Sequence, residues 1–389
     1  MNTSNNKPTV DADCDGAGAP RAAPVEAAEL EATPFQTTSV MPDGTVDIDV
    51  EPTPTRPTKR GKHPLLPEPP PEPRIQLIKA RDLLAFVAAM SRASTDSDVT
   101  KRNQALARGL NSRSLYRALY RLPDNWEPWL DALEEDYPYF GVFFGYLRAM
   151  CALAAQDDGV VELELPLFVG PPGTGKSTLV ELLVGLLAAS YVRVSMSATE
   201  SGAHLGGSQE SWSNSKPRLV FTTLTEGETA NPIFLLDELD KTSMDQRMDP
   251  LGPLYQLLEP ALARNFTDLS VPMLPIDASH ILWIATANDA RRIPEPIRQR
   301  FVQFDIPMPS PQQSLAVARS VMRGLKEQRP RLRRFTLDDS AEDALIGLAP
   351  RQMRKQINLG CGQAARAGRT LVTAADFPVD VALGRKVGF

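Results

Sequence analysis

The spacing of apolar positions changes twice along the chain. Between about residues 158 and 307, short apolar runs alternate with stretches of helical period. Leu163–Val169 (LELPLFV), Val192–Met196 (VRVSM), Ile233–Leu236 (IFLL), Ile281–Thr286 (ILWIAT) and Phe301–Ile306 (FVQFDI) read as strands. Strands separated by helices predict a parallel sheet covered on both faces, an α/β doubly wound fold. After Pro309 helical spacing returns over 311–327, 339–348 and 351–366, which predicts a second, small helical domain over 308–389. Before the strands, 75–157 reads as helical. Its segments are IQLIKARDLLAFVAAMSRA, NSRSLYRALYRL from Asn111 to Leu122, and YFGVFFGYLRAMCALAAQ. Asn111 or a neighbouring Ser can cap the second of these. A small accessory bundle of three or four helices is expected there.

Residues 1–74 have neither period. They hold 14 of the 35 prolines, with 7 basic and 12 acidic side chains, so −5 of the net charge of −6 lies in them. Such a stretch buries too little apolar surface to offset the entropy of ordering, so an acidic, proline-rich disordered tail is expected. PEPPPEP, from Pro67 to Pro73, favours polyproline II, after a basic patch at Arg56, Lys59, Arg60 and Lys62. The tail is either a solvated extension or a docking arm. The remaining chain is nearly neutral, which argues against a nucleic-acid coat.

Cys14, Cys151 and Cys361 are odd in number and irregularly spaced, which suits neither a disulfide framework nor a zinc site. His63, His204 and His280 add no ligand cluster. No basic start precedes an apolar run at the N-terminus, and Glu181 and Arg148 interrupt the longest apolar stretches. A soluble, cytoplasmic protein with no membrane span is expected.

Gly170-Pro171-Pro172-Gly173-Thr174-Gly175-Lys176-Ser177-Thr178 fits G-x-x-x-x-G-K-[ST], between a predicted strand and the amphipathic TLVELLVGLLA. Glycines let the backbone curl around phosphates and aim N–H groups at them, and the helix start adds a positive dipole. In such a loop the lysine reaches the β- and γ-phosphates, and the Ser177 hydroxyl serves Mg²⁺. About sixty residues on, NPIFLLDELDK sets Asp237 and Glu238 at the end of a buried strand. Parallel sheets present ligand sites at those ends. Asp237 is suited to hold Mg²⁺ through water, and Glu238 to polarise the attacking water.

With both motifs in view, the sequence resembles the AAA+ ATPases, and among them the ATPase module of Lon-type proteases, over roughly 160–370. DPLGPLYQLLEP and FTDLSVPMLPIDASHILWIATAN agree with that group in order and spacing. The resemblance implies an ATP-binding large domain over 158–307 and a helical lid over 308–389. It implies that Asn288 is the sensor-1 residue that orients water. Arg300 corresponds to the arginine finger reaching a neighbouring subunit's γ-phosphate, with Arg298 a near alternative. Arg351 corresponds to sensor 2 in the lid. GGSQESWSNSKP, from Gly206 to Pro217, falls where Lon carries a pore loop, and Trp212 matches the aromatic that grips a polypeptide. That loop is richer in Ser and Asn than its Lon counterpart and poorer in basic residues.

A finger acting in trans implies a homo-oligomer, a hexameric ring. The absence of an N-K-x-D motif favours adenine, and the family resemblance supports the same choice. Lon continues into a peptidase domain with a Ser–Lys dyad, whereas this sequence ends at Phe389, so the resemblance implies the motor without the protease. The expected output is unfolding or remodelling of a protein substrate, alone or feeding a separate peptidase. The alternatives are a MoxR-type chaperone for one dedicated partner, and an ATP-dependent scaffold that hydrolyses slowly. A nucleic-acid partner is not expected.

Overall fold

The computed structural model describes residues 37–38, 74–94, 97–199, 201–207, 216–242 and 249–377. Apart from Thr37, Thr38 and Arg74, the expected tail lies outside the described residues, and so does Trp212.

All five strands read from the sequence form, with ends displaced by up to three residues from their apolar runs. They are β1 Pro166–Val169, β2 Tyr191–Ser195, β3 Ile233–Asp237, β4 Leu282–Ala287 and β5 Val302–Asp305. They pair in parallel in the spatial order β2-β3-β4-β1-β5. Thr37–Thr38 pairs in parallel outside β2. β1 thus lies between β4 and β5, with β3 one strand beyond β4, so the loop leaving β1 opens beside the acidic end of β3. The runs are apolar at successive positions because both faces are covered. Phe234, Leu236, Trp283 and Ala285 face one core, while Ile233, Leu235, Leu282 and Ile284 face another.

Four helices precede the sheet: α1 Ala80–Arg92, α2 Asp98–Asn111, α3 Trp126–Asp136 and α4 Gly141–Ala155. They do not make the separate bundle expected for 75–157. Leu83 and Phe86 of α1 and Leu110 of α2 enter the first core. Leu130 of α3 and Phe143, Phe144 and Leu147 of α4 enter the second. The two pairs therefore cover opposite faces of the sheet. Within each pair the helices also pack on one another, α1 on α2 and α3 on α4.

Asn111–Leu122 is not a helix. Helical spacing runs over α2 instead, where the Ser97 hydroxyl accepts from the Thr100 N–H as N-cap. Tyr116–Ala118 pairs antiparallel with Arg74–Gln76. The extended backbone carries Arg117 into the interior. There its Nε and Nη2 donate to Leu224 O and Thr225 O, at 3.1 and 2.5 Å. Those carbonyls end helix α6, Leu219–Glu226, and a cation suits the negative end of a helix.

The helix after the phosphate loop, α5, spans only Lys176–Leu182. Gly185, at φ +87°, ends the expected run, and Tyr120 Oη donates to its carbonyl at 2.5 Å. A Cβ there would stand 2.8 Å from the Trp129 ring, so only glycine fits.

Among the described residues, one helical stretch, Pro138–Ala155, is long and apolar enough to cross a membrane by length and composition. Its Phe140 and Phe143 rings meet Phe168 of β1 edge-on, and Phe143 also meets Phe304 of β5. α4 thus packs one face against the sheet, while Val142 and Leu153 on it are exposed.

Beyond β5 come α7 Pro311–Gln328, α8 Asp339–Ala344 and α9 Pro350–Arg366. Ser310 and Gln313 form a capping box ahead of α7, with Pro311 in its first turn. α7 packs on α9 and on α3, which brings these helices over the phosphate loop.

Candidate functional site

β1 delivers the chain into the loop Gly170–Gly175, and α5 begins at Lys176. Gly173 and Gly175 have φ of +84° and +88°, a region that costs other residues a Cβ clash. The loop is tied from inside and outside. The Thr174 hydroxyl, in a fully buried residue, donates to Pro171 O at 3.0 Å. Tyr139 Oη donates to Thr174 O at 2.6 Å, and burial pushes that phenol far above its ordinary range. Lys176 Nζ donates to Gly170 O and Pro171 O at 2.7 and 2.9 Å, and reaches Asn288 Oδ1 at 3.3 Å. Burial lowers the Lys176 pKa, while Asp240, Asp237 and Glu238 pull it back up.

Asp237 is the hub of the site. Its Oδ1 accepts from Ser177 Oγ at 2.7 Å and from Thr286 Oγ1 at 2.6 Å. Its Oδ2 accepts from Nε of Arg193 at 3.0 Å and from the same guanidinium's Nη2. Burial resists ionisation of this carboxyl. The hydrogen bonds from Thr286, Ser177 and Arg193 outweigh burial and hold its pKa below the ordinary value.

Glu238 follows in the left-handed region at φ 58°, uncommon for a residue with a side chain. Its N–H donates to Thr286 Oγ1 at 3.0 Å, and its Oε1 accepts from Lys241 Nζ at 2.5 Å. Thr286 therefore binds both members of the acidic pair. It was not singled out from the sequence, although it stands on β4 two residues before Asn288, which follows the strand. Arg193 was missed as well, because one arginine in VRVSM carries no motif.

These groups line a cleft of about 540 Å³, which also takes in Pro172, Thr178, Asn288 and Arg351. The Arg351 N–H donates to Gly173 O at 3.2 Å, so the first turn of α9 touches the loop directly. Tyr137, Val317, Val321 and Arg354 complete the walls between α3, α7 and α9. None of these four was read from the sequence as a site residue. They converge only through helix packing.

Arg300 lies elsewhere. It is half-buried, donates from Nη1 to Pro296 O at 2.9 Å, and sets its guanidinium carbon 5.6 Å from the Tyr255 ring centroid. It is not among the residues lining the cleft of its own chain.

The sheet order, the glycine loop and the acidic strand end define a P-loop nucleotide-binding fold. Residues 166–308 match the family described as "ATPase family associated with various cellular activities (AAA)". The chain thus carries an AAA+ module, and the module resembles the ATPase part of Lon proteases. Lon protease 2 of Thermus thermophilus is 30% identical over 207 residues, 51% of this chain and 26% of that protein. A peroxisomal Lon protease homolog 2 of Oryza sativa is 33% identical over 151 residues, 39% of this chain and 17% of the other. The chain therefore spans about a quarter or less of the length of these relatives. A solved structure of the Thermotoga maritima RuvB Holliday junction branch migration motor aligns at TM-score 0.41 and 12% identity. That alignment covers 60% of this chain and 65% of the other.

Proposed function

We propose that this chain is an ATPase that hydrolyses ATP with Mg²⁺ and, assembled as a ring of copies, remodels protein substrates. The reading rests above all on one observation. Ser177, Thr286 and the Glu238 backbone meet around Asp237, and Lys176 reaches Asn288, all at the carboxyl ends of β1, β3 and β4. A phosphate chain on the loop has donors from the backbone and Lys176. Ser177 and Asp237 are hard oxygen ligands 2.7 Å apart, which fits Mg²⁺, an ion that keeps waters and substrate phosphates as its other ligands. The ion would neutralise charge on the phosphates as it develops. Glu238 then takes the part of the base that polarises water, with Asn288 orienting it. Arg351, already bonded to the loop through its backbone, reads the nucleotide from the lid. The wall containing Tyr137 and Val321 suits a purine ring.

Arg300 acts in trans in this reading, which its place outside its own cleft supports. The remodelling of protein substrates rests on the resemblance to Lon modules, with Trp212 as the gripping residue. The deciding experiment is ATP turnover by the wild-type chain and Glu238→Gln across protein concentration. Turnover that rises more than linearly with concentration and disappears in the variant supports the reading. Wild-type protein that binds ATP tightly at all concentrations without turnover would count against it and favour the scaffold.

A further inference from the structure

The Asp237 carboxylate is saturated by protein donors. Ser177 and Thr286 take Oδ1, and two N–H groups of Arg193 take Oδ2. A carboxylate has about four lone-pair sites, so a metal ion or its water reaches Asp237 only by displacing a donor. The three donors differ in how readily they leave. Thr286 is buried and also accepts from the Glu238 N–H. Ser177 is itself needed beside the ion. Arg193 is partly exposed to solvent, with 45% of its side chain accessible against 9% for Asp237. It also has a second acceptor, Glu181 Oε1, 3.5 Å from its Nη1.

We propose that Arg193 is a positioning residue that gates the metal position. Its guanidinium holds Asp237 until a divalent cation arrives together with a nucleotide, and it then shifts towards Glu181. This inference rests on the nucleotide-hydrolysing reading above and gives it an order of events. A bare dication must compete with a fixed cation for one carboxylate. A cation carried on a phosphate chain brings compensating negative charge and gives the arginine a further anion to face. Arg193 thereby couples metal binding to nucleotide binding, and the coupling runs equally in both directions.

The test uses the full chain, first without nucleotide. Mn²⁺ alone is titrated into wild type, Arg193→Gln and Arg193→Lys and followed by its EPR signal. ADP binding is then measured by calorimetry with and without Mg²⁺. Arg193→Gln is expected to bind Mn²⁺ about tenfold more tightly than wild type, a common size for site-to-site coupling. The factor by which Mg²⁺ strengthens ADP binding should shrink to match. Arg193→Lys keeps the charge and should stay near wild type, which separates gating from damage to folding, since damage would move both variants alike. Equal Mn²⁺ affinity in wild type and Arg193→Gln, or weaker affinity in the variant, overturns the inference and leaves the ATPase reading standing. Wild type that binds no ADP removes the ATPase reading and this inference with it.

Discussion

Asp237 carries its charge in a buried setting because three side chains donate to it, and each comes from a different element. Thr286 is the least replaceable of the three, since its one hydroxyl bonds both Asp237 and the Glu238 N–H. Thr286→Val keeps the shape and removes both bonds. Leaving buried partners unpaired costs about 1–3 kcal/mol, so the variant's urea midpoint should fall by that equivalent with the m-value unchanged. Thr286→Ser should restore most of the loss. Lys176→Met is expected to weaken ATP binding and abolish turnover, whereas Glu238→Gln should bind ATP and fail only in turnover. Equilibrium binding of a fluorescent ATP analogue separates the two. Equal losses of binding would contradict the roles assigned to these residues.

At the scale of elements, two connecting segments are each held by one buried carboxylate. Asp268 is fully buried and accepts from the Arg218 N–H at 2.9 Å and from the Ser270 N–H at 2.8 Å. It thereby ties the start of α6 to the loop before β4. The next residue, Leu269, donates its N–H to Gly206 O at 2.8 Å. Asp268→Ala leaves two backbone donors unpaired and should cost roughly 3 kcal/mol in denaturant melts. A change within experimental error would show that water takes over the role.

The region after α9 depends on Asp376 in the same way. Arg369 side-chain bonds, then the Thr373 N–H, bring this carboxyl down to about 2 from 3.8. A depressed acid adds stability that is complete above its unfolded value and lost as pH falls through its folded value. The contribution should therefore disappear between 3.8 and about 2, and Asp376→Asn should flatten that part of the acid limb. Thermal melts at a series of acid pH values will measure the slope. An unchanged slope would mean the ion pair does not form in solution.

For the whole molecule, the helices before the sheet are structural parts of the nucleotide module. α4 is seated by Phe140 and Phe143 against Phe168, and by Phe143 against Phe304. Tyr139, two residues before α4, bonds the phosphate loop. Phe143→Ala should thus cost about 3–5 kcal/mol, the range for buried aromatic truncation. It should also weaken ADP binding, although the side chain touches no part of the cleft. Calorimetry at a temperature where the variant is still folded will show whether the two losses travel together.

The sequence alone determined the parts whose chemistry is local. The five buried strands were legible because a two-sided parallel sheet leaves apolar runs that nothing in solvent would tolerate. The loop from Gly170 to Thr178 was legible because positive φ demands glycine at fixed spacing, and Asp237 and Glu238 because they end an apolar run. Tertiary structure alone decided how those parts meet. Asn111–Leu122 reads as helical by spacing, yet Arg117 goes inside to cap α6, a partner more than a hundred residues away. The apolar stripes before the sheet looked like a bundle, yet one pair joins the core on one face of the sheet and the other pair the core on the opposite face. Arg193 and Thr286 have no motif of their own, and they reached Asp237 only when β2, β3 and β4 paired in register. A periodicity reports that a face will be buried, but only the packed chain specifies which face covers it.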